Sequence, residues 1–422
     1  MPVLKAIKGQ IVYAPDTKAL AIHENSWVVS QDGVVVGIFK ELPKEYASAE
    51  CEDYGDRLII PGLVDLHVHA PQYAFRGTGM DLELLDWLNT YTFPEEGKYG
   101  DLAYADRAYS MFVNDLKNSA TTRAVVFATI HTDATLMLMD KLEASGVSAF
   151  VGKVNMDRNS PDFLREDTEN SLANTKDWLS RCKKSSNIKP ILTPRFTPSC
   201  TDELMRGLKK LQEENNLCVQ SHLSENAGEI AWVKELCPNT SCYGEAYEQF
   251  GLFGGEVPTI MAHCVHSTAD EIELMRKNGV FVAHCPQSNT NLSSGIAPVR
   301  EYLEKGVKVG LGSDVAGGAN ISILRAMADA IQVSKLRWRL VDEGRKPLTL
   351  AEALYIATKG GGEFFGKVGS FEKGYAMDAV VLSEELLPHP QEMSICDRLE
   401  RIIYMSDDRT IRAKYKDGKK IK

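Results

Sequence analysis

The chain has 422 residues, with 48 lysines and arginines against 58 aspartates and glutamates, for a formal charge of −10. That balance argues against a general binder of phosphate backbones, and the length calls for one large barrel or sandwich with appendages, or for two domains. Hydrophobic residues at 44% and charged residues at 25% match compact globular proteins. No stretch approaches the roughly 18 apolar residues of a membrane span, and the opening Met-Pro-Val-Leu-Lys-Ala lacks a signal-peptide core. The nine cysteines include no C-x-x-C pair and several lie in apolar runs such as Leu217-Cys218-Val219, so buried thiols in a reducing, cytoplasmic setting are expected.

Residues 1–58 hold short alternating segments, Ile11-Val-Tyr and Trp27-Val-Val-Ser among them, with Gln31-Asp-Gly as a hairpin signal before Val34-Val-Val-Gly-Ile. From 59 to 365 the pattern becomes short β-branched runs separated by longer amphipathic stretches, as in a parallel α/β fold. Eight runs are expected as strands: 63–69, 122–128, 147–154, 189–196, 217–222, 258–263, 279–284 and 307–314. The spacing predicts helices over 103–118, 202–215, 269–278 and 321–340. Eight strands with helical crossovers imply an α/β fold built on a (β/α)8 TIM barrel. Residues 366–422 return to strand-like pieces, Ala376-Met-Asp-Ala-Val-Val-Leu and Arg401-Ile-Ile-Tyr. These are expected to join the amino-terminal strands in a small β-sandwich domain formed by the N- and C-terminal segments.

The first barrel strand ends Leu63-Val-Asp-Leu-His67-Val-His69, and alternation along a strand puts both imidazoles on one face, where they can serve one cation. His222, His263, His284 and Asp314 end the fifth to eighth strands, so five of the nine histidines reach the face where such barrels carry their chemistry. Three imidazoles and a carboxylate suit Zn²⁺ with an open position for water, and iron is an alternative. His67, His69, His222 and Asp314 are the assigned ligands. His263 stands either as a further ligand or as a donor to the bound water, and His284, two residues before Pro286, either joins the site or shapes its loop. Glu225, three residues after His222, is the nearest acid/base in sequence, unless it caps the following helix. The fourth strand ends in Pro194-Arg195-Phe196, with no lysine to bridge a second metal, so one cation per chain is expected; Lys153 on the third strand reads as a hydrogen-bonding residue.

These residues resemble the amidohydrolase superfamily and, within it, the guanine deaminases. Pro61-Gly-Leu-Val-Asp-Leu-His67-Val-His69, the later histidines and Gly312-Ser-Asp314 are similar to the superfamily at large. His69-Ala-Pro-Gln72-Tyr, Leu85-Asp-Trp87-Leu with Tyr91-Thr-Phe-Pro-Glu-Glu, Gly152-Lys-Val-Asn-Met-Asp-Arg-Asn, Pro194-Arg195-Phe196-Thr-Pro and His222-Leu-Ser-Glu225 are similar to the narrower group. The resemblance implies zinc on His67, His69, His222 and Asp314 with His263 close by, and a purine contacted by Gln72, Arg195, Phe196 and Glu225. It also implies a homodimer. Arg195 suits guanine, whose O6 and N7 accept hydrogen bonds where adenine presents an N6 donor. Phe196 and Trp87 offer apolar faces for the ring, or pack in the core.

The expected reaction is hydrolysis of guanine to xanthine and ammonia in purine catabolism or salvage, by hydroxide generated at the metal. Asp314 accepts the water's proton, Glu225 protonates a ring nitrogen, and His263 steadies the oxygen charge. A free base needs neither a nucleic-acid surface nor a membrane. The rival readings are another deaminase or triazine-type hydrolase of the same superfamily, and a catalytically silent scaffold. The segment 77–100, with Gly77 and Gly79 as hinges, is a candidate lid.

Overall fold

A computed structural model describes residues 2–422; residue 1, the start of the expected 1–58 segment, lies outside the described residues. The amino-terminal strands are β1 (Leu4–Tyr13), β2 (Ala21–Gln31), β3 (Val34–Phe39) and β4 (Glu50–Pro61). The central strands are β5 (Leu63–His69), β6 (Thr121–Phe127), β7 (Ser148–Gly152), β8 (Val154–Asn155), β9 (Ile188–Pro190), β10 (Thr193–Pro194), β11 (Val219–Leu223), β12 (Thr259–His263), β13 (Phe281–His284) and β14 (Lys308–Leu311). The chain closes with β15 (Ala379–Leu382), β16 (Ile411–Lys416) and β17 (Lys419–Lys420).

Each central run read from the sequence forms strand, in two parallel sheets ordered β5-β6-β7-β9 and β11-β12-β13-β14, with β8 and β10 as a short pair. The third and fourth runs are each split; in the fourth, Pro190 and Pro194 cannot donate to a ladder. A parallel bridge joins Leu192 to Val219 between the two sheets. Past β14, the Asp314 N–H donates to His67 O at 2.8 Å, and the His69 N–H donates to Val315 O at 3.1 Å. The expected helices form over Leu102–Asn118, Asp202–Asn215, Ala269–Asn278 and Ile323–Leu340. Local chemistry sets their ends: Asp101, Thr201 and Thr268 accept from backbone N–H groups of the first turn, and Gly279, at φ 65°, ends the third. The first of them buries Ala105, Ala108, Tyr109, Phe112 and Leu116, one apolar stripe at helical spacing.

The chain ends build one seven-stranded mixed sheet, β17-β16-β15-β4-β1-β2-β3. Its hairpin at Asp32-Gly33 has both residues at positive φ, 51° and 82°, as a tight two-residue turn requires. The hydrogen bonding is thus a single continuous sheet, because β4 pairs with β1 on one side and β15 on the other. One expectation fails here. Arg401-Ile-Ile-Tyr is no strand but part of a helix, Ile395–Met405, which buries Leu399, Ile402 and Ile403. Those positions repeat at three and four residues, a helical period masked by the β-branched pair. The candidate lid 77–100 is helical over much of its length, from Leu84 to Gly100. Among the described residues no helix is long and apolar enough to cross a membrane.

Candidate functional site

The first element to place chemistry is β5. Val64 and Leu66 pack with Ile260, Ala262, Phe281 and Ala283, while Val68 packs with the cluster under the helices. A register shift against β6 between Asp65 and Val68 interrupts the alternation there, as a bulge does, and re-aims His67 and His69. Asp65, fully buried, ties the turn together: it accepts from the His67 N–H at 3.1 Å, the Ser313 N–H at 3.0 Å and the Ser313 hydroxyl at 2.5 Å. Burial pushes its carboxyl up to about 7 despite these bonds. Gly312 is needed for the approach of the two segments, since a Cβ there would lie 2.8 Å from Cys285 Sγ and 2.9 Å from His67 Cβ. His263 and Asp314 sit at φ 71° and 45°, a left-handed backbone that non-glycine residues adopt at a cost, and both belong to the site.

Four side chains meet. His69 Nε2 lies 3.1 Å from His67 Nε2 and 3.3 Å from His222 Nε2, and Asp314 Oδ1 lies 3.2 Å from His67 Nε2 and 3.4 Å from His69 Nε2. A tetrahedral cation with bonds of about 2.0–2.1 Å separates its donor atoms by roughly 3.4 Å, so His67, His69 and His222 could share one metal ion, as could the overlapping trio His67, His263 and Asp314. Burial lowers the basicity of all three imidazoles, most strongly for His69 and His222, which keeps their lone pairs available. His222 Nδ1 donates to Arg195 O at 2.6 Å, which leaves Nε2 as the donor atom for a cation. Burial would raise the Asp314 carboxyl, but the imidazoles, His67 foremost, more than reverse this and hold it below the usual carboxylate range.

His263 Nε2 lies 3.7 Å from Asp314 Oδ2 and 3.4 Å from Glu225 Oε2, so the acid/base candidate and the further histidine both reach the cluster. Burial first, and the Asp314 charge second, push the Glu225 carboxyl well above its ordinary range. Ser294 donates to Glu225 Oε1 at 3.3 Å.

These groups open on a narrow cavity lined also by Gln72, Leu84, Trp87, Leu88, Arg195, Phe196, Glu229 and Leu292. All the proposed contact residues are therefore brought together. Trp87 serves both expectations, since it lines the cavity and packs on Phe75 with ring centroids 5.5 Å apart. Two candidates are not in the cluster. Lys153 pairs with Glu166 at 2.7 Å in the interior. His284 is buried with its basicity pushed down to about 3, and among the described residues neither ring nitrogen finds a hydrogen-bond partner.

The sequence reading missed Glu96, Asn289 and Glu229. Glu96 accepts from Arg195 Nη1 at 2.5 Å, Arg195 Nη2 at 3.2 Å and Gln72 Nε2 at 2.8 Å. Asn289 Oδ1 lies 2.9 Å from His263 Nδ1. Glu229 accepts from the Glu225 N–H at 3.0 Å and the Tyr243 hydroxyl at 2.9 Å, and burial with the neighbouring Glu225 pushes it up to about 7. The signals were an acidic doublet in Phe93-Pro-Glu-Glu, the asparagine of His284-Cys-Pro-Gln-Ser-Asn and, for Glu229, the capping-box spacing Asn226-Ala-Gly-Glu229.

The chain is similar along its whole length to the guanine deaminase of Dictyostelium discoideum, at 39% identity over all of this chain and 98% of that protein. It is also similar to that of Escherichia coli, at 36% identity over 87% of this chain and 83% of the relative. Among solved structures, the guanine deaminase from C. acetobutylicum with bound guanine in the active site superposes with a TM-score of 0.96 at 47% identity, covering 99% of this chain and 100% of that one. The profile of the amidohydrolase family matches residues 58–421, from the end of β4 through the histidine cluster to the last strand. With that profile matching most of its length and a full-length relative at 39% identity, the chain belongs to the amidohydrolase family.

Proposed function

We propose that this chain hydrolyses guanine to xanthine and ammonia, in purine catabolism or salvage. The full-length likeness to guanine deaminases, one of them holding guanine, carries the reading. His67, His69, His222 and Asp314 would hold zinc, or iron in its place, with His263 beside it. A cation so held supplies, when bound, a nucleophilic water at neutral pH.

The remaining work falls to side chains. Arg195 and Gln72 orient the base: the N–H groups of Arg195 not engaged by Glu96 suit the O6 and N7 acceptors of guanine, and a mismatched base leaves a buried donor unpaired. Phe196 and Trp87 wall the ring. Glu225, whose carboxyl burial pushes well above its ordinary range, gives its proton to a ring nitrogen beside C2 and makes that carbon electrophilic. Asp314, held ionised, takes the proton of the attacking water, and His263, beside both Glu225 and Asp314, faces the oxygen on which charge develops. The C2 amino group takes the proton held by Asp314 and departs as ammonia, and the hydroxyl proton returns to Glu225 as C2 becomes a carbonyl.

We also infer that residues 59–365 form a closed (β/α)8 barrel, supported by the Leu192–Val219 bridge and the Asp314–His67 bond. Residues 1–58 and 366–422 form a second, sandwich-like domain, supported by their shared sheet. The nine unpaired cysteines support a cytoplasmic enzyme, and exposed Leu336, Leu340 and Val341 support a homodimer.

Ammonia release by the zinc-loaded protein against guanine, adenine, guanosine, adenosine and cytosine, with a chelated control, tests the reading. Chelator-sensitive turnover of guanine alone is expected; turnover of another base instead would discard the role of Arg195 in selection.

A further inference from the structure

Glu96 touches no metal donor, yet one carboxylate of this residue makes three hydrogen bonds to two groups that face the cavity. It is 1% exposed, and its partners Arg195 and Gln72 are 3% and 2% exposed. The Phe93 ring, 5.1 Å from the guanidinium carbon, fixes the plane of Arg195 from the same helical segment. Gln72 is held at its other end too, because its Oε1 accepts from the Ala316 N–H at 3.1 Å; a flipped amide would lose both bonds.

We propose that Glu96 is a positioning residue that also cancels the charge of Arg195, so that the pocket takes a neutral base and releases a product more prone to carry negative charge. The inference rests on the reading of this chain as a guanine deaminase. A lone guanidinium in a buried pocket attracts anions strongly, because the local dielectric is low. Xanthine is more acidic than guanine, since its second carbonyl spreads the charge of the anion, so a cationic pocket would hold product above substrate. The Glu96–Arg195 pair has no net charge, while two N–H groups of Arg195 beyond those aimed at Glu96 and its Nε–H remain to be shared with a base.

Zinc-loaded wild type, Glu96→Gln and Glu96→Asp are compared by steady-state turnover of guanine and by competitive binding of two purines, hypoxanthine, which is neutral, and urate, which is an anion at neutral pH. Glu96→Gln is expected to lower kcat/KM by about 10²-fold through misplacement of Arg195 and Gln72. It should also tighten urate relative to hypoxanthine by about 10-fold or more. Glu96→Asp should recover part of both effects. Unchanged kcat/KM, or urate and hypoxanthine weakened alike, would overturn the proposal and leave Glu96 as a packing group. A wild type inactive on guanine would sink the substrate reading instead, and the binding comparison, which needs no turnover, would still judge Glu96.

Discussion

Glu225 and Asp314 line one cavity and are driven toward opposite protonation states. Glu225 is buried beside a negative charge, and both influences favour its neutral form. Asp314 is as deeply buried but is surrounded by imidazoles, which favour its ionised form. Two carboxyl groups driven apart in this way can act as acid and base at one pH. Glu225→Gln keeps the shape and removes the transferable proton. It is expected to purify with near-stoichiometric zinc while kcat falls by about 10²- to 10⁴-fold. Metal analysis beside ammonia release checks this, and near wild-type kcat in the zinc-loaded variant would refute the proton role. Legibility at this scale was uneven. His67, His69, His222 and Asp314 stood out because they lie at or just past strand ends, where position along the chain predicts the face reached. Glu96 did not, because its partner Arg195 is 99 residues away and only folding brings the two together.

At the scale of elements, the site depends on two strand ends meeting. β5 bulges between Asp65 and Val68, the chain after β14 bonds to His67 and His69, and Asp65 clamps the Ser313 segment to the β5 backbone. Gly312→Ala would force its Cβ against Cys285 Sγ and His67 Cβ, both under 3.0 Å. Overpacking of this kind costs about 1–3 kcal/mol, and here the strain falls on a candidate ligand. A lower melting temperature together with loss of bound zinc is expected; full zinc occupancy at unchanged stability would show that the two segments can separate without disturbing the cluster. The helix Ile395–Met405 teaches a related point. Four residues, Arg401-Ile-Ile-Tyr, carry too little periodicity to separate strand from helix, and the eleven-residue span with its buried Leu399, Ile402 and Ile403 is what decides.

At the scale of the molecule, the terminal sheet is tied to β6 by polar groups buried between them. Arg123 pairs with Asp378 at 2.8 Å and with Asp417 at 2.7 Å, and Lys414 Nζ donates to Leu116 O at 3.1 Å and Thr121 O at 2.8 Å. Burial pushes the Lys414 ammonium down to about 7. An unfolded lysine titrates near ~10.4, so between these values the unfolded chain binds the extra proton and stability rises with pH. The Lys414 contribution to that slope approaches 1.4 kcal/mol per pH unit at most and vanishes below the folded value. Lys414→Met should therefore flatten the pH dependence between about 7 and 10 relative to wild type. Denaturant titrations of both proteins across that range measure the difference, and parallel curves would place the lysine's charge in solvent.

The sequence by itself determined the alternation of strands and helices, the eight strand positions and the histidines and aspartate that end them. Those features are local: side-chain alternation, helical spacing and turn residues act over a few positions, so they can be read along the chain. Only the tertiary structure decided that the chain ends, expected to share a β domain, pair as one continuous seven-stranded sheet, that Arg401-Ile-Ile-Tyr is helical, and that Glu96, Asn289 and Glu229 stand behind Arg195, His263 and Glu225. Their effects come from burial and from partners distant in sequence. A carboxylate's surroundings, unlike its spacing, exist only once the chain has closed around it.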